Sequence, residues 1–119
     1  DQGRSLPWPV AELFGPLDDV QFWVKDGANR YLHANRALLL NYNLDDVAQI
    51  VGRTDYDFSP PFLADQFWFD DEQVLAGHRV VNRIELVGGA NEPPHWNVTN
   101  KIPLRNARGR IIGTAGTTR

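Results

Sequence analysis

Residues 20–35 read Val-Gln-Phe-Trp-Val-Lys-Asp-Gly-Ala-Asn-Arg-Tyr-Leu-His-Ala-Asn, and their pattern decides the fold. Two short runs rich in β-branched and aromatic residues flank Asp26-Gly27-Ala28-Asn29. That tetrad supplies side-chain acceptors and a residue tolerant of positive φ, so the stretch predicts a β-hairpin. The second run closes on Asn35, a good helix N-cap, before the helix-forming Arg36-Ala37-Leu38-Leu39-Leu40. Simple alternation puts Phe22 and Val24 on one face of the first strand and Gln21, Trp23 and Lys25 on the other. The apolar pair, Phe22 and Val24, is the expected inward face.

Upstream, residues 1–9 carry Gly and two prolines and read as a leader. Val10, Leu13, Phe14, Leu17 and Val20 fall at helical spacing, and Gly15-Pro16 should end or kink that short amphipathic helix. Residues 1–17 are therefore separated from a main domain over residues 18–119. Downstream of the hairpin, Asp45 to Val51 predicts one or two helical turns ended by Gly52. Thr54 and Asp57 frame a capping box, and Pro60-Pro61 opens the longest helix, Phe62 to Ala76, ended by Gly77. Its apolar stripe is Leu63, Phe67 and Val74, while Asp70-Asp71-Glu72 is expected to be a solvated face.

Three further strands are predicted, Arg79 to Val87, His95 to Leu104 and Arg110 to Thr118, joined through residues 88–94 and 106–109. Alternation groups Val80, Ile84 and Leu86 with Asn82, and Trp96, Val98 and Ile102 with Asn100. Arg83 and Glu85 then project from the opposite face, near Lys101, as a cross-strand charge cluster. Two strands, a helical connection and three more strands define an α+β domain with its helices on one sheet face.

The 119 residues suffice for one domain with its own core. A net charge of -3 without a Lys/Arg cluster argues against nucleic acid or an anionic membrane as a direct partner. No apolar run reaches membrane-spanning length, and the domain is expected to work in the cytoplasm. The absence of cysteine excludes a disulfide, a thiolate nucleophile and a cysteinyl cofactor adduct. Starting without methionine and stopping just after a strand-like run, the chain reads as an excised domain whose output region lies elsewhere.

Phe22-Trp23-Val24-Lys25-Asp26, Tyr31 to Asn35, Val51 to Phe58 with Pro60-Pro61, Asp70-Asp71-Glu72, and Lys101 to Asn106 ahead of Gly109 and Gly113 together resemble a PAS domain over roughly Asp18 to Arg119. The resemblance implies a five-stranded antiparallel sheet in the order 2-1-5-4-3, with helices enclosing a cavity on its inner face. Gly52-Arg53-Thr54-Asp55-Tyr56-Asp57-Phe58 and Trp96 to Asn106 resemble the N-terminal PAS domains of bacterial AraC-type transcription regulators. Similar modules occur in sensor histidine kinases, and a ligand-free structural dimerisation module is a further alternative.

A flavin photoadduct would need a cysteine, which is lacking, and the long helix has no histidine to serve as a haem ligand. His78 lies just past that helix and reads as a surface residue near its C-terminal carbonyls. His33, His78 and His95 are too scattered for a compact metal motif. Neither a serine elbow nor a phosphate-binding loop is present, so the expectation is a module without enzymatic activity. The expected pocket comprises Phe22, Val24, Phe67, Asn82, Ile84, Trp96, Val98 and Asn100. Its two amides would be paired with each other, with water or with a ligand, because a buried amide without partners is costly. A homodimer and a small-molecule ligand are the expected partners, with DNA reached only through an output domain outside this chain.

Overall fold

The computed structural model describes residues 12–87 and 93–119. The predicted leader, the first two residues of the amphipathic helix and the tip of the second hairpin, residues 88–92, lie outside the described residues. Strand β1 (Gln21–Asp26) and β2 (Tyr31–Ala34) form the opening hairpin, followed by helix α1 (Arg36–Asn41). Single 3-10 turns at Val47–Gln49 and Asp55–Asp57 lead into α2 (Pro61–Leu75). Strands β3 (Val80–Val87), β4 (His95–Arg105) and β5 (Ile111–Thr118) complete the chain.

All four strand pairings are antiparallel, and the sheet order is β2-β1-β5-β4-β3, as the resemblance implied. The first strand thus lies centrally, hydrogen-bonded to both its hairpin partner and the last strand. Local signals account for the element boundaries. Asp26 Oδ1 accepts from the amides of Ala28 and Arg30, and Asn29 adopts φ 62°, which closes the hairpin turn. Asn35 Oδ1 caps α1 through the Leu38 amide at 3.2 Å. The Gln49 side chain reaches back to the amides of Asp45 and Asp46, and Asp57 reaches back to the Thr54 amide at 3.0 Å. Gly77, at φ 106°, takes the left-handed position that ends α2.

Both faces of the central strand are buried, and they differ in kind. Phe22 and Val24 pack with Ala115, Leu104 and Phe14, the Phe14 ring stacking on Phe22 at 4.8 Å. This is the outer face, covered by the helical residues 12–14. Trp23 packs on the opposite side with Tyr31, Ala34, Leu38, Leu39 and Ile50, under α1 and the 3-10 turns. Helix α2 covers the β3–β4–β5 half of that inner face. The expectation that Phe22 and Val24 face the helices is therefore corrected: they are buried, but on the other side of the sheet.

A β-bulge in β3 changes the alternation further along. Val80 is opposite Lys101 and Arg83 is opposite Thr99, so three residues of β3 span two steps of β4. Asn82 sits in the bulge at φ 48°, donates its amide N–H to Asn100 Oδ1 at 2.8 Å, and accepts from Asn100 Nδ2 at 3.3 Å. From Arg83 onward the strand has the opposite facing from the one unbroken alternation predicts.

Candidate functional site

The inner face of the sheet carries Gln21, Trp23 and Lys25 from β1, Thr114 and Thr118 from β5, Thr99 and Lys101 from β4, and Glu85 from β3. Helix α2 and the second 3-10 turn close over it and enclose a cavity of about 40 Å³ open to the centre of a water molecule. Gln21, Trp23, Lys25, Glu85, Lys101 and Thr118 line it from the sheet. Tyr31, Leu38, Asn41, Tyr42, Asp55 and Phe67 line the remaining walls. The space equals about three water-sized positions.

Charge dominates this site. Lys25, 2% exposed, donates to Asp55 Oδ2 at 2.6 Å and to Asp71 Oδ2 at 2.6 Å. Lys101, equally buried, reaches Asp71 Oδ1 at 3.3 Å. The Tyr31 hydroxyl donates to the other oxygen of Asp55 at 2.6 Å. A single network therefore joins β1, β2, β4, the second 3-10 turn and α2. At its margin Arg83 pairs with Asp70 at 2.6 Å. The Lys25 ammonium also lies 4.9 Å from the Tyr31 ring centre, and that of Lys101 lies 5.6 Å from the Phe67 ring centre.

Burial penalises the charge of Lys25, but Asp55 and Asp71 outweigh it and hold the amine above the usual lysine range. Burial likewise opposes ionisation of Asp71, yet Lys25 and Lys101 outweigh it and keep that carboxyl below its usual value. The Tyr31 and Tyr42 hydroxyls are pushed up by burial and then by the nearby Asp55 carboxylate. Burial also raises Glu85, against the opposing pull of Lys101. His33 is lowered by burial.

The backbone permits this arrangement through an unusually close approach at Gly116. Gly116 lies beneath the Trp23 ring, where an added Cβ would come within 2.5 Å of Cζ2 and 2.9 Å of the Asn100 carbonyl oxygen. Only a glycine lets the indole lie flat over the sheet there.

Several expectations about the site are corrected. Of the eight predicted pocket residues, Phe67 lines the cavity. Phe22 and Val24 belong to the outer-face cluster, where Val98 also projects, half-buried, opposite Ile84. Ile84 and Trp96 are 69% and 70% exposed and border an open groove with Phe62 and Leu63. Asn82 and Asn100 satisfy one another at the bulge and do not enter the cavity. Asp70 and Asp71 are 2% and 0% exposed, so the supposed solvated face of α2 is its charged inner face. Arg83, Glu85 and Lys101 likewise point inward, and Glu85 and Lys101 are 7% and 2% exposed.

Sequence reasoning missed Trp23, Lys25, Tyr31, Tyr42, Asp55, Asp71, Glu85 and Lys101. One signal was present: Asp71 is four residues after Phe67 and three before Val74, so it shares their stripe. A lysine interrupting the apolar run Phe22-Trp23-Val24 calls for a buried acid to match it.

Among the described residues no His, Asp and Glu side chains are grouped to hold a metal ion. No helix of the described residues is long and apolar enough to cross a membrane.

A domain of this topology, enclosing a polar cavity between sheet and helices, has the architecture of a sensory module. A family model described as "PAS fold" matches residues 17–119, and the chain belongs to that family. Type II secretion system protein L of Xanthomonas campestris pv. campestris is 34% identical over an alignment 133 positions long, which covers 95% of this chain and 34% of that protein. The Vibrio cholera VqmA–ligand–DNA complex matches with a TM-score of 0.78 at 24% identity, over 98% of this chain and 52% of that one. A Vibrio cholerae VqmA dimer solved without target DNA, in work on LuxR-type receptors, matches with a TM-score of 0.78 at 23% identity, over 96% of this chain and 52% of that one. The chain thus spans about a third of the curated relative and about half of the VqmA chain.

Proposed function

We propose that the chain is the cytoplasmic sensory and dimerisation module of a bacterial transcription regulator of the AraC type. The observation that carries this reading is the cavity bounded by one charged network, because Lys25 and Lys101 on the sheet bind Asp55 and Asp71 on the segments that close over it. A molecule entering among these groups repositions α2 and the 3-10 turn relative to the sheet, provided it binds one arrangement better than the other. The lysines and aspartates are committed to one another, which suits binding better than proton transfer, so the module is read as non-enzymatic. Support for a regulator comes from VqmA, a protein of the same fold solved with ligand and DNA. DNA would be contacted by an output domain outside these residues.

The dimer reading rests on exposed apolar groups. Leu13 is 68% exposed beside Phe14, and Ile84 and Trp96 are exposed at the far end of the sheet. Native mass spectrometry of the protein purified from its own cells, compared with denaturing spectra, tests the sensory reading. A retained small molecule at stoichiometric occupancy is the expected result, and an empty chain under all growth conditions overturns it.

A further inference from the structure

The two edges of the sheet are finished differently. At the β2 edge Tyr31 donates its amide to the Arg53 carbonyl and accepts from the Gly52 amide, both at 2.8 Å, so the chain itself occupies that side. At the other edge no strand lies beyond β3. Val98 exchanges both of its backbone bonds with Arg119, at 2.9 and 3.1 Å, on the β5 side. Ile84 is opposite Val98, so the two form a non-hydrogen-bonded pair and the Ile84 N–H and C=O point away from the sheet. Alternation turns those of Leu86 the same way. Among the described residues no other backbone group bonds to them. The bulge at Asn82 blunts the start of this edge, and regular pairing resumes from Arg83 to Val87. A groove with about 330 Å³ of water-centre space lies beside it, bordered across from β3 by Phe62, Leu63 and Gln66 of α2. Glu85, 7% exposed, lines the same groove, and its buried Oε2 has no hydrogen-bond partner among the described residues.

Beyond the sensory reading, we propose that the β3 edge takes an extended peptide of a partner protein as a sixth, antiparallel strand, with the order apolar–basic–apolar–acidic from N- to C-terminus. The second apolar residue exchanges two backbone hydrogen bonds with Ile84, and the first does the same with Leu86, beside Trp96. The basic residue then falls opposite Glu85 on the same face, with Cβ atoms about 4.5–5.5 Å apart, and supplies the partner that Oε2 lacks. The acidic residue falls opposite Arg83, whose side chain is 44% exposed and whose guanidinium has donors to spare beyond its contact with Asp70. The charges fix the order, because a reversed peptide would set an acid against Glu85 and a base against Arg83. A second copy of β3 also reads basic–apolar–acidic at Arg83-Ile84-Glu85. Centred on Ile84, however, that copy sets its own bulged Asn82 opposite Leu86, with φ 48° and its amide already given to Asn100. A regular peptide satisfies both Ile84 and Leu86, where a second copy satisfies Ile84 alone.

Titration of the ¹⁵N-labelled protein with the peptide acetyl-Ser-Val-Lys-Val-Glu-Ser-amide tests this. The expected result is saturable binding with slowed amide hydrogen exchange at Ile84 and Leu86. N-methylation of the second valine removes the N–H due to the Ile84 carbonyl, and interchange of Lys and Glu keeps the composition while reversing the charges. Each change should weaken binding about tenfold. Glu85→Gln, folded as judged by its backbone spectrum, should lose about fivefold for the lysine peptide and nothing for its norleucine analogue. No binding, equal binding of the parent, methylated and charge-reversed peptides, lysine-peptide binding unaffected by Glu85→Gln, or slowed exchange confined to other strands overturns the inference. Slowed exchange at Ile84 and Leu86 that grows with protein concentration in the absence of peptide gives the edge to a second copy and overturns it equally. None of these outcomes depends on what the cavity holds, so the sensory reading stands or falls separately.

Discussion

Gly116 lies so close beneath Trp23 that a single added methyl group would overlap the indole at 2.5 Å from Cζ2 and 2.8 Å from Cε2. The Asn100 carbonyl at 2.9 Å blocks the alternative escape. Gly116→Ala is therefore expected to destabilise the fold by about 1–3 kcal/mol and to tilt the indole. Urea unfolding together with the Trp23 indole resonance measures both effects. Trp23→Leu combined with Gly116→Ala should cost less than the sum of the two single changes, because the clash is shared.

Lys25 is the point where sheet, turn and helix are joined by charge. Lys25→Met leaves Asp55 and Asp71 buried, with Asp55 without its ammonium partner. A loss of about 3–5 kcal/mol is expected, measured by urea unfolding at neutral pH. Replacing Lys25 and Asp55 together by apolar residues of similar volume should recover part of that loss, because Asp71 then keeps Lys101 as its partner and no buried charge is left unmatched.

The same network fixes two opposite pH dependences. Asp71 has a folded pKa below its ordinary 3.8, so its contribution is complete above that value and disappears as pH falls through the folded pKa. Asp71→Asn should therefore lose its stability deficit relative to the parent at strongly acidic pH. Glu85 has a folded pKa above its ordinary 4.5, so its contribution is complete below 4.5 and disappears as pH rises through the folded pKa. Glu85→Gln should be the more stable protein near neutrality, with the gap closing below pH 4.5. Denaturant unfolding between about pH 2 and pH 8 separates the two windows.

Asn35 does more than cap a helix. Its Oδ1 accepts from the Phe22 amide at 3.0 Å and from the Leu38 amide at 3.2 Å, and its Nδ2 donates to the carbonyls of Phe14 and Val20 at 2.9 and 2.7 Å. Asn35→Ala removes all four bonds at a 2% exposed position and should cost about 3 kcal/mol in urea unfolding. Hydrogen exchange should locate the loss first in residues 12–20, which the amide ties to the sheet.

Leu13 carries the dimer prediction. Placing a charge on this 68% exposed position beside Phe14 should shift the protein from dimer to monomer without changing its unfolding midpoint as a monomer. Sedimentation velocity of Leu13→Asp over a range of concentrations checks it.

The hairpin, the caps at Asn35 and Gly77 and the long helix were legible in the sequence, because each rests on a local signal of turn, cap or period, whereas the strand order followed only from the resemblance to the PAS family. The inward side was not. Alternation divides a strand into two sets without stating which one meets the helices, and assigning the apolar set inward fails where both faces are covered. In β1 the outer set, Phe22 and Val24, is as deeply buried as Trp23 and Lys25. In α2 the acidic pair Asp70 and Asp71 looks solvated until its partners Arg83, Lys25 and Lys101 are placed opposite it. Ion pairs between residues distant in sequence leave no periodic trace, so the polar cavity became visible only in three dimensions.

The bulge at Asn82 has a consequence for the kind of cavity this fold encloses. Were the same residues paired without the bulge, unbroken alternation from Val80 would bring Asn82, Ile84 and Leu86 inward and send Arg83 and Glu85 to the outer face. One amide in the left-handed region, held by its counterpart on the neighbouring strand, thus works as a parity switch. Deleting Asn82 would straighten the strand yet leave Arg83 opposite Thr99 and Glu85 opposite Asn97, so the charged wall gives way to an aliphatic one only when the bulge is ironed out with every residue kept, an exchange that needs no change in the side chains of the wall itself.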